Sequence, residues 1–185
     1  MALTPSKMLA LGTKAPDFNL PDTISGKQFS LHDVAKENGL VIYFICNHCP
    51  YVKHVNKTLV AIAQSYFRKG IGFVAISSND VIKYTDDRPE LMKQTAIQEG
   101  YPFPYLYDET QDVARSYDAA CTPDIYFFDG DLKLVYRGQL DDSRPGNSRP
   151  SDGADLKAAI DAILQGQTPN ALQRPSAGCN IKWKS

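Results

Sequence analysis

LVIYFICNHCPYVKHV, residues 40–55, changes character half-way. Its first six residues are aliphatic, β-branched and aromatic with no polar alternation, the pattern of a strand buried on both faces. From Val52 the apolar positions recur at Val55, Leu59, Ile62 and Tyr66, three and four residues apart, as on one face of a helix. Pro50 suits the first helical turn, where a missing N–H costs little, and Lys69-Gly70 suits the end. Two cysteines, Cys46 and Cys49, stand at the junction with Asn47 and His48 between them.

Strand and helix signals alternate outward from that point. Upstream, FNLPDT and KQFSL flank Ile24-Ser25-Gly26 and read as a β-hairpin, followed by a short helix over 31–38; residues 1–15 read as a loose arm. Downstream come a second buried strand, IGFVAIS, a helix over 88–99 between Pro89 and Gly100, a short strand in FPYLYDE and a short helix in DETQDVARSY. DIYFFD and LKLVYRG surround Asp129-Gly130, a hairpin signal. A polar loop over 140–152, a last helix in ADLKAAIDAIL and a tail over 166–185 complete the chain. This order predicts an α/β fold: a central mixed sheet, largely parallel, flanked by helices, with an N-terminal β-hairpin extension. Its 185 residues suit one domain, 1–185, with a core over about 11–165.

Composition narrows the function. Lys and Arg number 20 against 21 Asp and Glu, with no block of one sign. That balance gives no electrostatic ground for nucleic acid or an anionic membrane as partner. The longest apolar run, residues 40–46, is too short to span a bilayer, and Pro5, Ser6 and Lys7 interrupt any secretory pattern, so a cytoplasmic location is expected. Four cysteines, Cys46, Cys49, Cys121 and Cys179, are too few for a disulfide-stapled scaffold. In a reducing compartment a C-x-x-C between strand and helix is redox-active or metal-binding.

The junction suits a reactive sulfur. The first N–H groups of a helix lack internal partners, and its end carries about half a positive charge, which favours thiolate over thiol. A free cysteine titrates near 8.5, and such surroundings can bring it to roughly 3.5–7.5. Cys46, with His48 able to donate to it or attract it, is expected to be the more acidic sulfur; Cys49, one turn later, is placed to resolve a mixed disulfide. A zinc site would need further ligands from His32, His54, Cys121 or Cys179, and none of these forms a second closely spaced pair. Covalent haem needs His after the second Cys, where Pro50 stands. No metal and no cofactor is therefore expected.

FICNHCPYVKHV followed by CTPDIYFFD resembles the thioredoxin superfamily. GTKAPDFNLPDTISGKQFSL at the front resembles more closely its AhpC/TSA branch, of peroxiredoxins and TlpA-like thiol–disulfide oxidoreductases. SSND, PYLYDETQ and GCNIKWK are similar to a thioredoxin-like subgroup of that branch. The resemblance implies a thioredoxin-like fold and thiol–disulfide oxidoreductase activity. Cys46 would attack and Cys49 resolve. Pro123 would be a cis-proline beside them, with the Thr122 backbone pairing to substrate. The partners implied are a protein or small-molecule disulfide and an external thiol reductant.

Three departures from the family pattern matter. Asn47-His48 replaces Gly-Pro of thioredoxin, which resembles oxidising members with a Cys-Pro-His-Cys motif. Leu40 stands where thioredoxin keeps a buried acid, leaving Asp80, Glu99 and Asp124 as candidate proton acceptors. Against the peroxiredoxin pattern Thr-x-x-Cys, Cys46 replaces the Thr, so a thiol-dependent peroxidase is the second reading; a metal-binding or redox-sensing adaptor is the third. Cys121 and Cys179 are candidate auxiliary thiols, Cys179 through a disulfide with Cys121 or a relay to Cys46. Arg144 and Arg149 are candidates for an anionic substrate.

Overall fold

The computed structural model describes residues 3–185. Its centre is a five-stranded sheet in the order β6-β5-β4-β8-β9, built from β4 (Gly39–Phe44), β5 (Ile71–Ser77), β6 (Tyr105–Tyr107), β8 (Asp124–Phe128) and β9 (Leu134–Gly138). β4, β5 and β6 run parallel; β8 and β9 are antiparallel additions at one side. Every residue of β4, β5, β6 and β8 is buried, as their unbroken apolar runs require.

Alternation along the strands divides the core between the two faces. Val41 and Tyr43 of β4, Phe73 and Ala75 of β5 and Ile125 and Phe127 of β8 point one way. There they meet Val52, Val55, Leu59 and Ile62 of α2 (Pro50–Tyr66), Met92 and Ala96 of α3 (Pro89–Glu99), and Leu156 and Ile160 of α5 (Ala154–Leu164). Leu40, Ile42, Phe44, Val74, Ile76, Tyr126 and Phe128 point the other way. They pack against Leu31 and Val34 of α1 (Leu31–Val34), Val113 and Ala114 of α4 (Asp112–Ser116), and Tyr117. α1 begins with a reciprocal capping box between Ser30 and Asp33. α2 runs into a 3-10 turn, Phe67–Lys69, closed by Gly70 at φ +77°. Gly supplies that left-handed conformation without a Cβ penalty.

The front hairpin forms as expected: β2 (Asn19–Pro21) pairs antiparallel with β3 (Gln28–Ser30). The two ends of the chain depart from the expectation. Residues 3–5 of the supposed loose arm form β1 (Leu3–Pro5), and the tail contributes β10 (Ala177–Asn180). With β7 (Cys121–Thr122) they make a second sheet in the order β1-β10-β7. The strands are three, four and two residues long, too short to carry a readable period. No helix among the described residues is long and apolar enough to cross a membrane.

Candidate active site

β4 delivers Ile45 and Cys46 past the sheet edge, and α2 starts at Pro50 with Cys49 as its N-cap residue. The first turn of α2 holds no acidic side chain, so its end field is unopposed there. β7 brings Thr122 alongside, and the Thr122-Pro123 peptide bond is cis. The Thr122 hydroxyl lies 3.5 Å from Cys46 Sγ, and its carbonyl oxygen 3.2 Å from Cys49 Sγ. The tail strand adds Cys179, whose Sγ is 3.0 Å from that of Cys49. All four cysteines are free and buried; Cys46 is 1% and Cys49 0% exposed.

The proton distribution reverses the expectation for the two motif sulfurs. Cys49 is held well below the usual thiol range. The Cys46 thiol donating to it is the main cause; burial opposes, and Cys179, Thr122 and the Val52 N–H add their support. Cys46 is pushed well above that range, first by the same shared proton, then by burial and by the negative charge of Asp87. The contact with the Thr122 carbonyl favours a protonated Cys49, but it does not outweigh the Cys46 and Cys179 thiols and the Val52 N–H. The lowering of Cys49 and the raising of Cys46 thus share one chief cause, the contact between the two thiols.

His48 is held by a residue that the sequence reading missed. Its Nδ1 lies 2.7 Å from Asp87 Oδ2 and 3.9 Å from Cys46 Sγ, so Asp87 takes the ring's hydrogen bond. Asp87 is fully buried in a short 3-10 segment, Thr85–Asp87. It also accepts from the backbone N–H groups of Asn47, at 2.8 Å, and His48, at 3.3 Å, and from Asn79 Nδ2, at 2.8 Å. Burial pushes its carboxyl up, but His48, Asn79 and the Asn47 N–H together outweigh that and hold it below the usual range. His48 is raised in turn, chiefly by the Asp87 hydrogen bond against its own desolvation. The ring stacks on Tyr84, with centroids 5.7 Å apart, and its Nε2 is buried without a partner.

Asp87 is thus a buried acid beside the motif, carried by a 3-10 segment rather than by β4. The three acids considered earlier lie elsewhere or serve other ends. Asp124 is buried, raised to about 6 chiefly by desolvation, and bonded to the Ala120 N–H and the Tyr126 hydroxyl. Asp80 accepts from the Ile82 N–H in its own loop, and Glu99 is exposed at the end of α3. Cys121 is buried with its Sγ 3.6 Å from the Pro123 carbonyl, and burial pushes its thiol far up. Arg144 bonds Gln139 and the carbonyls of Asp141 and Ser143, while Arg149 pairs with Asp142, so both arginines are spent within their loop.

For a metal, the donor atoms of Cys46, His48 and Asp87 lie within 4.8 Å of one another. Of the ligands weighed from the sequence, Cys179 adjoins Cys49 instead of completing that group.

Comparison with known proteins agrees with this architecture. No curated protein matches the chain. An uncharacterized conserved protein from Geobacillus kaustophilus superposes with a TM-score of 0.98 at 56% identity, covering 100% of this chain and 97% of that one. A hypothetical protein from Sinorhizobium meliloti 1021 gives 0.96 at 44% identity, covering 98% and 99%. The thioredoxin domain of a thiol-disulfide oxidoreductase from Bacteroides vulgatus shares the fold, with a TM-score of 0.60 at 23% identity over 70% of this chain and 88% of that one. Residues 11–137 match the AhpC/TSA family, from the front hairpin through the cysteine motif to the end of β9, and the chain belongs to that family with a thioredoxin-like fold.

Proposed function

We propose that this chain is a thiol–disulfide oxidoreductase working through Cys46 and Cys49. The observation that carries the reading is a pair of free cysteines at the start of α2, both in contact with Thr122 beside the cis Thr122-Pro123 bond. Cys46 adjoins the half-buried His48, whereas Cys49 faces Thr122 and Cys179. Both are covered in this conformation, so a substrate reaches Cys46 after a local opening of the site.

Cys49 thiolate then takes the Cys46 proton, and Cys46 attacks one sulfur of the substrate disulfide. That forms a mixed disulfide and releases one substrate thiolate. Cys49, losing its proton again, attacks Cys46 Sγ. The second substrate thiolate leaves, and the two electrons that reduce the substrate come from the Cys46–Cys49 pair, now a disulfide. An external dithiol restores it. A reducing, cytoplasmic setting fits a pair that must be reset in this way.

Reduction of insulin by wild type, Cys46→Ser and Cys49→Ser tests the reading. The expected result is turnover by wild type, none by Cys46→Ser, and a trapped mixed disulfide on Cys46 in Cys49→Ser. A wild type without turnover and without a reversible internal disulfide would sink it.

The thiol peroxidase reading gains support from the lowered Cys49 thiol, at the position that carries the peroxidatic cysteine in Thr-x-x-Cys. There Cys49 would cleave the peroxide O–O bond to give a sulfenic acid and an alcohol or water. A neighbouring thiol would then condense with it and release water. Peroxide turnover comparable to insulin turnover, lost in Cys49→Ser, would favour that route.

A further inference from the structure

Cys179 is the nucleophile-bearing residue that neither motif sulfur accounts for. It lies 130 residues from Cys49 in sequence, yet their sulfurs are 3.0 Å apart, closer than van der Waals contact and about 1 Å beyond a covalent bond. The sequence offers Cys179 a disulfide with Cys121 or a relay to Cys46; the structure puts it against Cys49 instead.

The approach is built into the fold. β10 is the middle strand of its sheet, with Cys179 in register with Leu3 on one side and Thr122 on the other. Gly178 allows the close fit, because a Cβ there would collide with the Thr122 carbonyl oxygen. Beyond β10 the tail is laced to the body. The Lys182 N–H donates to Asn79 Oδ1 at 2.8 Å, its carbonyl accepts from Asp80 N and Gln111 Nε2, and Lys184 N donates to Gln111 Oε1. Asn79 also holds Asp87, so the lacing runs directly into the His48 network.

We propose that Cys179 is a third redox thiol and that the resting oxidised form of the protein is the Cys49–Cys179 disulfide; this rests on the oxidoreductase reading above. After Cys46 and Cys49 have reduced a substrate, Cys179 attacks Cys49 Sγ. The Cys49–Cys179 bond forms, the Cys46–Cys49 bond breaks, and the Cys179 proton passes to the departing Cys46. No electrons are gained or lost in this step. In the reduced state burial and the Cys49 charge hold Cys179 at about 12. Formation of the first disulfide removes the Cys49 charge and its hydrogen bond; burial still opposes the Cys179 thiolate and Lys182 favours it. The oxidation thereby eases the exchange that follows it. It returns Cys46 as a free thiol and staples the tail strand to α2. β10 already occupies the Thr122 edge in this structure, contrary to the expectation that the Thr122 backbone pairs with substrate, and the disulfide would hold it there, so a substrate strand cannot pair without displacing the tail.

The test is thiol counting and disulfide mapping by mass spectrometry on the full chain, equilibrated in oxidised and reduced dithiothreitol and quenched in acid. Wild type, Cys46→Ser and Cys46→Ser/Cys179→Ser are compared, with insulin turnover of wild type measured alongside. The expected result is that oxidised Cys46→Ser loses two thiols and yields a Cys49–Cys179 link, whereas the double variant loses none. Gly178→Val, which pushes β10 away from β7, should reduce the Cys49–Cys179 fraction of the otherwise wild-type chain at least fivefold in favour of Cys46–Cys49. The relay is overturned if Cys46→Ser keeps all its thiols under conditions that oxidise wild type, or if Cys49 links to Cys121. Should wild type turn insulin over while holding only a Cys46–Cys49 disulfide, the relay fails and the oxidoreductase reading stands. Absence of insulin turnover removes both.

Discussion

Asp87, at the end of the loop after β5, and Asp141, in the loop after β9, are both almost fully buried carboxylates held below their ordinary range. Asp141 accepts from the N–H groups of Ser143, at 2.8 Å, and Gly153, at 2.7 Å, and from the Ser151 hydroxyl at 3.0 Å. Each of those donors keeps its proton at any ordinary pH, so Asp141 ties a loop together. Asp87 makes the same kind of backbone bonds to Asn47 and His48, but spends one oxygen on an imidazole that can gain or lose a proton. The same buried group is a structural clamp in one loop and an orienting, charge-setting partner in the other. The difference lies in one titratable donor placed 3.9 Å from a thiol.

The comparison predicts a hierarchy of effects. Asp87→Asn should be the most damaging: it breaks a buried pair and costs about 3 kcal/mol in denaturant unfolding. It should also lower insulin turnover at least tenfold and bring the His48 titration, followed by NMR, down toward about 6.5. Asp141→Asn should cost about 2 kcal/mol by the same unfolding measurement. Its insulin turnover should stay within twofold of wild type, and a tenfold loss would break the distinction drawn between the two aspartates.

Stability against pH sharpens it. His48 is raised, so its contribution is complete below its unfolded value of about 6.5 and fades as pH climbs through the folded value. Asp87 and Asp141 are lowered, so theirs are complete above about 3.9 and are lost on acidification. The stability these groups contribute against thermal unfolding should therefore be greatest between about pH 4 and 6.5. Asp87→Asn should flatten the alkaline limb, and Asp141→Asn should leave that limb unchanged. The smallest effect belongs to Tyr84→Ala, which removes the ring stacked on His48 and should cost about 1 kcal/mol with a modest fall in the His48 value.

Much of the frame was legible from local pattern. Continuous apolar runs marked β4 and β5, three-and-four spacing marked α2, and Gly and Pro punctuation marked the turns, because burial and backbone preference act within a few residues. The site was legible only where it is local: Cys46, Asn47, His48 and Cys49 are contiguous. Asp87 was not legible, since TDD before Pro89 looks like any polar helix approach and its partner lies 39 residues away. Nor was the order of acidity of the two sulfurs, which turns on contacts of Cys49 with Cys46, and with Cys179 and Thr122, that only the fold supplies.

By itself, then, the sequence determined that two thiols stand where a buried strand becomes a helix, within a family whose pattern runs from residue 11 to 137. Periodicity and glycine and proline chemistry are encoded residue by residue, and they suffice for that. Only the tertiary structure decided that Cys179 rather than Cys121 meets Cys49, that Asp87 turns His48, and that the chain's two ends close a second sheet. Those contacts join segments far apart in sequence, Cys49 with Cys179 and Leu3 with Cys179 among them, and their partners are selected by how the packed sheet and helices bring distant backbone together, which no local pattern records.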